Sequence, residues 1–185
     1  MSKEIKYIII NLFKTISKKE TLYLHLFPLV ADGLLVIIYY FGGNTCNVNL
    51  SGLNDILSDY ITIFTLFVSF TIGYLTMLIT SSGGSINSLK TNMSKHFFID
   101  RQKKEPFSLF QILMTHITYT VFIEIIALIC CVLGKFTYIL NENIVFQIVF
   151  WGITMLFIYT ALLLIQIIKN VYLSFWKNKE SSGNI

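Results

Sequence analysis

Four long apolar runs limit what this chain can fold into more than any other feature. The first extends from Leu22 to Phe41 and is interrupted by His25 and Asp32. The second, Tyr60 to Thr80, and the fourth, Ile144 to Ile168, contain no charged residue. The third, Phe110 to Leu133, has Glu124 as its only acid. About 20 apolar residues in a helix cross the roughly 30 Å of bilayer hydrocarbon, and each of the four runs is at least that long. There the backbone polar groups are satisfied only inside helices or closed barrels. The runs are continuous rather than alternating with period two, so they read as helices. The competing reading is a set of buried helices in a large soluble protein. A chain of 185 residues with 13% charged residues leaves too little polar material to cover four such helices; soluble domains carry roughly a quarter.

The expected fold class is therefore an all-α integral membrane protein, a four-transmembrane-helix bundle preceded by an N-terminal amphipathic interfacial helix. The boundaries read from the sequence are a cytosolic helix over 1–21, spans at 22–41, 60–80, 110–133 and 144–168, outer loops at 42–59 and 134–143, a basic cytosolic loop at 81–109 and a cytosolic tail at 169–185. Orientation follows from charge. Of the 14 Lys and Arg, 13 fall in the N-terminal segment, the middle loop and the tail, and only Lys135 falls in an outer loop. Basic loops stay cytoplasmic, which predicts both termini and the middle loop inside, and the net charge of +4 reflects that topology. An inner basic surface attracts anionic lipid. It gives little reason to expect direct contact with nucleic acid.

The start of the chain does not read as a signal peptide, because Lys14, Lys18 and Lys19 interrupt it and no small-residue cleavage site follows. Ile5, Ile8, Ile9, Leu12, Phe13 and Ile16 share one helical face with Lys3, Lys14 and Lys18 opposite, the pattern of a helix lying on the membrane surface. A short extension of the first span is the alternative. The middle loop opens Ser81-Ser82-Gly83-Gly84-Ser85, a flexible linker composition. It continues with cations and aromatics together: Phe97, Phe98, Arg101, Lys103 and Lys104 form a candidate docking surface for a soluble cytosolic partner. A plain solvated connector is the other reading.

Polar residues inside the spans are the remaining candidates. His25 and Asp32 lie seven apart on the first span, and His116 and Glu124 lie on the third. At about 100° per residue, His116, Thr120, Glu124, Ala127 and Cys131 share one sector. Thr62, Thr65, Ser69, Gly73, Thr76 and Thr80 share one on the second span, and Gln147, Thr154 and Ala161 one on the fourth. Small and hydroxylated stripes let helices approach closely, so the second-span stripe reads as a packing face or a pore lining. A carboxylate in mid-bilayer costs at least ~2.5 kcal/mol and must face protein or water. Asp32 is thus expected to pair with His116 or Glu124, to sit at an oligomer interface, or to serve as a proton or ion site. His25 with Asp32, and His116 with Glu124, each followed by a glycine (Gly43, Gly134), also suggest a two-helix unit used twice.

No catalytic set emerges. The three His are scattered, no His/Cys group has metal-ligand spacing, and no nucleophile has a base beside it. Neither an enzyme, a cofactor nor a metal is expected. A disulfide from Cys46 to Cys130 or Cys131 is topologically allowed in an oxidising exterior; the odd count of three favours the alternative, cysteines serving as small apolar residues. Asn49-Leu50-Ser51 is a glycosylation sequon of meaning only in a eukaryote.

The Ile-, Lys- and Asn-rich composition has the character of an AT-rich bacterial gene. Four spans, a basic cytosolic loop and almost no extramembrane domain, taken over the whole chain, resemble KwaA, the membrane subunit of the Kiwa anti-phage defence system. The resemblance implies a homo-oligomeric sensor of infection in the bacterial inner membrane, acting with a soluble DNA-binding effector, KwaB, on the cytosolic side. It carries no site residue onto this chain. Two function classes follow: an oligomeric sensing scaffold that recruits a soluble partner, and a small ion or proton channel or transporter subunit using Asp32 and Glu124.

Overall fold

The structure is a computed structural model and describes residues 10, 12, 18–42, 50–81, 84–99, 104–140 and 143–181. The elements in chain order are α1 (Lys18–Gly42), α2 (Leu50–Thr80), α3 (Gly84–Thr91), β1 (Met93–Ile99), β2 (Lys104–Ser108), α4 (Leu109–Ile139) and α5 (Asn143–Ser181). The four long helices α1, α2, α4 and α5 are each long and apolar enough to cross a membrane. The helical class and the number of spans agree with the sequence. The proposed N-terminal interfacial helix lies almost wholly outside the described residues. Within it, Ile10 and Leu12 are helical, and Leu12 is buried to 2% exposure.

Three helix boundaries move, each for a physical reason. α2 starts at Leu50, well before the apolar run that opens at Tyr60. Asn54, Asp55 and Asp59 dilute the hydropathy there, but Leu53 and Leu57 sit one turn apart and are both buried. α4 runs past Gly134 and Lys135 to Ile139. Gly134 is therefore not a helix end but a point of close approach: a Cβ there would meet Ile153 Cδ1 at 3.1 Å, Leu57 Cδ2 at 3.2 Å and Val149 Cγ1 at 3.3 Å. α5 continues to Ser181, so its 39 residues extend about 58 Å at 1.5 Å per residue, well beyond one hydrocarbon thickness.

The chain divides into two compact units. Unit 1 comprises Met1–Thr21, Thr71–Val121 and Leu163–Ile185, and unit 2 comprises Leu22–Phe70 and Phe122–Leu162. In unit 2 the core is Leu53, Leu57 and Phe64 from α2, Ala127 and Cys131 from α4, and Phe146, Phe150 and Ile153 from α5. Tyr60 stacks on Phe157 at 4.8 Å between ring centroids, and Phe67 stacks on the same ring at 6.2 Å. Such offset contacts add about 0.5–1.5 kcal/mol per pair beyond area burial. α1 joins this unit by a narrow face: Leu24 and Pro28 are buried, while Leu26, Leu29, Val30, Leu34, Ile37 and Ile38 are exposed, as a lipid-facing helix requires. Pro28 gives no backbone N–H, and a helix tolerates this loss in a membrane when neighbouring groups take up the freed carbonyl.

In unit 1 the core is Leu78, Ile86, Leu113, Ile117 and Ile167, with Tyr74, Leu75, Phe110, Met114 and Val171 packed against it. Much of segment 81–109, expected as a basic loop, is folded. α3 buries Ile86 and Leu89, three apart, and leaves Asn87 and Lys90 exposed. β1 and β2 form an antiparallel hairpin in which Phe97 pairs with Pro106, Phe98 with Glu105, Ile99 with Lys104 and Met93 with Ser108, with an irregularity between Met93 and Phe97.

Candidate functional site

The polar candidates fall into three settings. The first is the second-span stripe. Thr62, Thr65, Ser69, Gly73 and Thr76 are all exposed on the chain. Each hydroxyl donates to the carbonyl one turn back: Thr62 Oγ1 to Ser58 O at 3.2 Å, Thr65 Oγ1 to Ile61 O at 2.7 Å, Ser69 Oγ to Thr65 O at 2.8 Å and Thr76 Oγ1 to Ile72 O at 2.9 Å. Thr80 Oγ1 does the same to Thr76 O at 2.9 Å. This back-bonding satisfies the donor within the helix itself. Among the described residues the stripe therefore does not pack helices together, and Gly73 has nothing within 4 Å of where a Cβ would stand.

The second setting is the interior of unit 2. Asp32 lies on the inward face of α1, on the same side as Leu24 and Pro28, and is half-buried. Its Oδ1 is enclosed and has no hydrogen-bond partner among the described residues, and its carboxylate is within electrostatic reach of Tyr60. Tyr60 Oη is 3.5 Å from Thr154 Oγ1, at the long limit of a hydrogen bond, and Thr154 Oγ1 donates to Phe150 O at 3.1 Å. Glu124 on α4 is fully buried, at 0% exposure. His25 is exposed, with its ring 5.6 Å from that of Tyr159. Two contacts here have no counterpart in the sequence reading. Lys135 Nζ donates to Ser58 Oγ at 2.6 Å, joining α4 to α2, and Tyr40 Oη donates to Gln147 Oε1 at 3.0 Å, joining α1 to α5. Charge–hydroxyl and phenol–amide pairs of this kind cannot be read from spacing along one helix.

The third setting is unit 1. His116 is buried beside Asn170, whose Nδ2 lies 3.5 Å from Nδ1 of the imidazole. Thr120, one turn further along α4, is buried and donates to His116 O at 2.9 Å. Lys169 Nζ pairs with Glu20 Oε1 at 2.9 Å, both side chains about half exposed; such a pair contributes at most about 1 kcal/mol. Gln166 Oε1 and Tyr74 Oη are enclosed without hydrogen-bond partners among the described residues. The positional match of His25/Asp32 with His116/Glu124 thus joins exposed and half-buried residues to two buried ones.

The docking candidates sit on the hairpin. Phe97 and Phe98 are in β1 and Lys104 opens β2. Arg101 and Lys103 lie outside the described residues, as does Cys46 of the suggested disulfide. The hairpin is anchored at its base. Leu109 N donates to Asn92 O at 3.0 Å. Ser108 and Gln111 form a reciprocal capping box: Ser108 N donates to Gln111 Oε1 at 2.9 Å and Gln111 N to Ser108 Oγ at 3.1 Å. Lys90 Nζ lies over the Phe110 ring at 5.2 Å, within cation–π range. The sequence signal for this anchor was present, as Ser-x-x-Gln ahead of an apolar run. Among the described residues, no group of three or more His, Cys, Asp and Glu is placed to hold a metal ion.

The chain matches no protein-family model, no curated protein and no solved structure.

Proposed function

We propose that the chain is an oligomeric scaffold of the bacterial inner membrane, with both termini cytoplasmic, that recruits or regulates a soluble cytosolic protein through the segment between α2 and α4. One observation carries this reading. A stretch with linker-like and basic composition is folded into α3 and a hairpin, and locked onto the start of α4 by the Ser108–Gln111 capping box and the Leu109–Asn92 bond. A connector needs only length. An anchored element that carries Phe97, Phe98 and Lys104 at defined register positions suits recognition, since precise sites are held by rigid elements. The architectural resemblance to KwaA supports the same class and gives it a setting, a sensor in anti-phage defence with a KwaB-like effector.

The test is purification in mild detergent followed by mass spectrometry of what accompanies the chain. Replacing residues 93–108 with a Gly/Ser linker of equal length is expected to release the soluble partner and leave the chain inserted and self-associated. A partner retained on that variant moves docking to the N-terminal segment or the tail.

A second reading, an ion or proton conduit, draws on Asp32, with its enclosed Oδ1, and on the buried Glu124. Asp32→Asn is then expected to abolish flux in liposomes. Purified protein that shows no flux with both residues intact removes this reading.

A further inference from the structure

The two outer edges of the hairpin are not equivalent. β2 carries Pro106, which has no backbone N–H. Proline is a device that blunts an edge. β1, Met93-Ser94-Lys95-His96-Phe97-Phe98-Ile99, contains no proline, and among the described residues no strand lies on its outer side. An edge-strand proline sits with its nitrogen turned away from the ladder. Its partner Phe97 then turns its own N–H and C=O outward, away from β2. A two-stranded hairpin gains stability from packing against a helix or from a third strand. From Met93 to Ser108 the chain holds four Lys or Arg against two acids.

We propose that β1 accepts an extended acidic segment of the soluble partner as a third strand, paired over Phe97 to Ile99. The inference rests on the scaffold reading and gives it a binding mode: main-chain bonds supply the affinity and charge selects the segment, as in other strand additions. A second copy of this chain is a poorer occupant, because β1 carries Lys95 and no acid and so brings no negative charge to the basic hairpin.

The experiment uses the full chain in nanodiscs of zwitterionic lipid and a fluorescent, short alternating Glu-Val peptide. The control peptide has the same side chains with every backbone nitrogen methylated, so its charge is unchanged and its donors are gone. The Glu-Val peptide is expected to bind saturably, and the methylated one about tenfold more weakly or worse, since losing two main-chain bonds removes about that much affinity. Phe97→Pro in the protein, which removes an outward N–H, is expected to reproduce that loss. Isotope-edited infrared spectra of a 13C-carbonyl peptide should show an intermolecular strand band on binding. Equal binding of the two peptides overturns strand addition while leaving recruitment by charge intact, and so does absence of Glu-Val binding at millimolar concentration. Docking through the hairpin is tested separately: a natural partner that survives replacement of the whole hairpin moves docking to the N-terminal segment or the tail.

Discussion

Two helices carry a polar stripe at the same helical spacing, and the fold uses them in opposite ways. On α4, His116, Thr120, Glu124, Ala127 and Cys131 are all buried. On α2, Thr62, Thr65, Ser69, Gly73, Thr76 and Thr80 are all exposed. The buried side of α2 is instead Leu57, Phe64, Thr71 and Leu78, each seven positions after the last, and the hydroxyl stripe is centred roughly 140° away from Phe64 around the helix. The difference follows the ionisable side chains of the α4 stripe, His116 and Glu124, since Thr120 back-bonds to His116 O as the α2 hydroxyls do to theirs. A Thr or Ser hydroxyl gives its proton to the carbonyl one turn back and can then face hydrocarbon at little cost. A carboxyl in mid-span is far costlier to leave in hydrocarbon, and Glu124 is fully buried and Asp32 half-buried, whereas His25 is exposed. Polarity alone therefore does not mark the inward face of a span; in these helices a mid-span carboxyl does.

The largest effect expected from this contrast is between the two faces of α2. Phe64 is fully buried and Phe70 is 67% exposed. Lipid is as apolar as the core, so Phe64→Ala loses mainly by its cavity, about 2 kcal/mol or more. Phe70→Ala should change stability by less than about 0.5 kcal/mol. Unfolding by SDS titration in mixed micelles measures both. Equal costs would mean that the exposed face of α2 is covered in the assembled protein rather than turned to lipid.

The stripes themselves can be compared with one substitution. Thr120→Leu inserts bulk where exposure is 0% and is expected to cost about 1–3 kcal/mol by overpacking. Thr65→Leu on the exposed stripe should be neutral to within about 0.5 kcal/mol for the single chain. Loss of self-association with Thr65→Leu, without loss of fold, would show the α2 stripe to be an interface between copies, and cross-linking in membranes reads this directly.

A smaller effect separates two glycines. At Gly134 a methyl group must displace three side chains that approach to between 3.1 Å and 3.3 Å, whereas at Gly73 it meets nothing. Gly134→Ala is expected to cost about 1 kcal/mol, near the low end of overpacking because the neighbours are flexible side-chain ends. Gly73→Ala should be neutral or slightly stabilising, by up to about 1 kcal/mol from helix propensity. The same titration ranks them, and the reverse order would contradict the packing around Gly134.

The number of long apolar helices was plain in the sequence because an apolar run long enough to cross a bilayer has few alternatives. Which face each span buries was not, since the α2 stripe and the α4 stripe are alike in pattern and differ in hydrogen-bond chemistry. The early start of α2 was obscured by Asp55 and Asp59, although Leu53 and Leu57 carried the one-turn spacing that marks it. The hairpin was hidden by a Gly/Ser opening and by Pro106, which argues against a central strand but not against an edge strand. Its lower boundary was readable in Ser108 and Gln111. The links Lys135–Ser58, Tyr40–Gln147 and Lys169–Glu20 join residues far apart in the chain, and no local pattern announces them.

Recruitment of a soluble protein by the hairpin requires the hairpin and both termini to lie on the cytosolic side of a four-span chain. The direct measurement is labelling of single cysteines in sealed cells by a membrane-impermeant maleimide, with Cys46, Cys130 and Cys131 replaced. Asn141→Cys, between α4 and α5, is expected to be labelled from outside. Ser88→Cys, on α3 ahead of the hairpin, is expected to be labelled only after the cells are permeabilised. Labelling of Ser88→Cys in intact cells would put the hairpin outside and contradict the proposal that it docks a cytosolic protein.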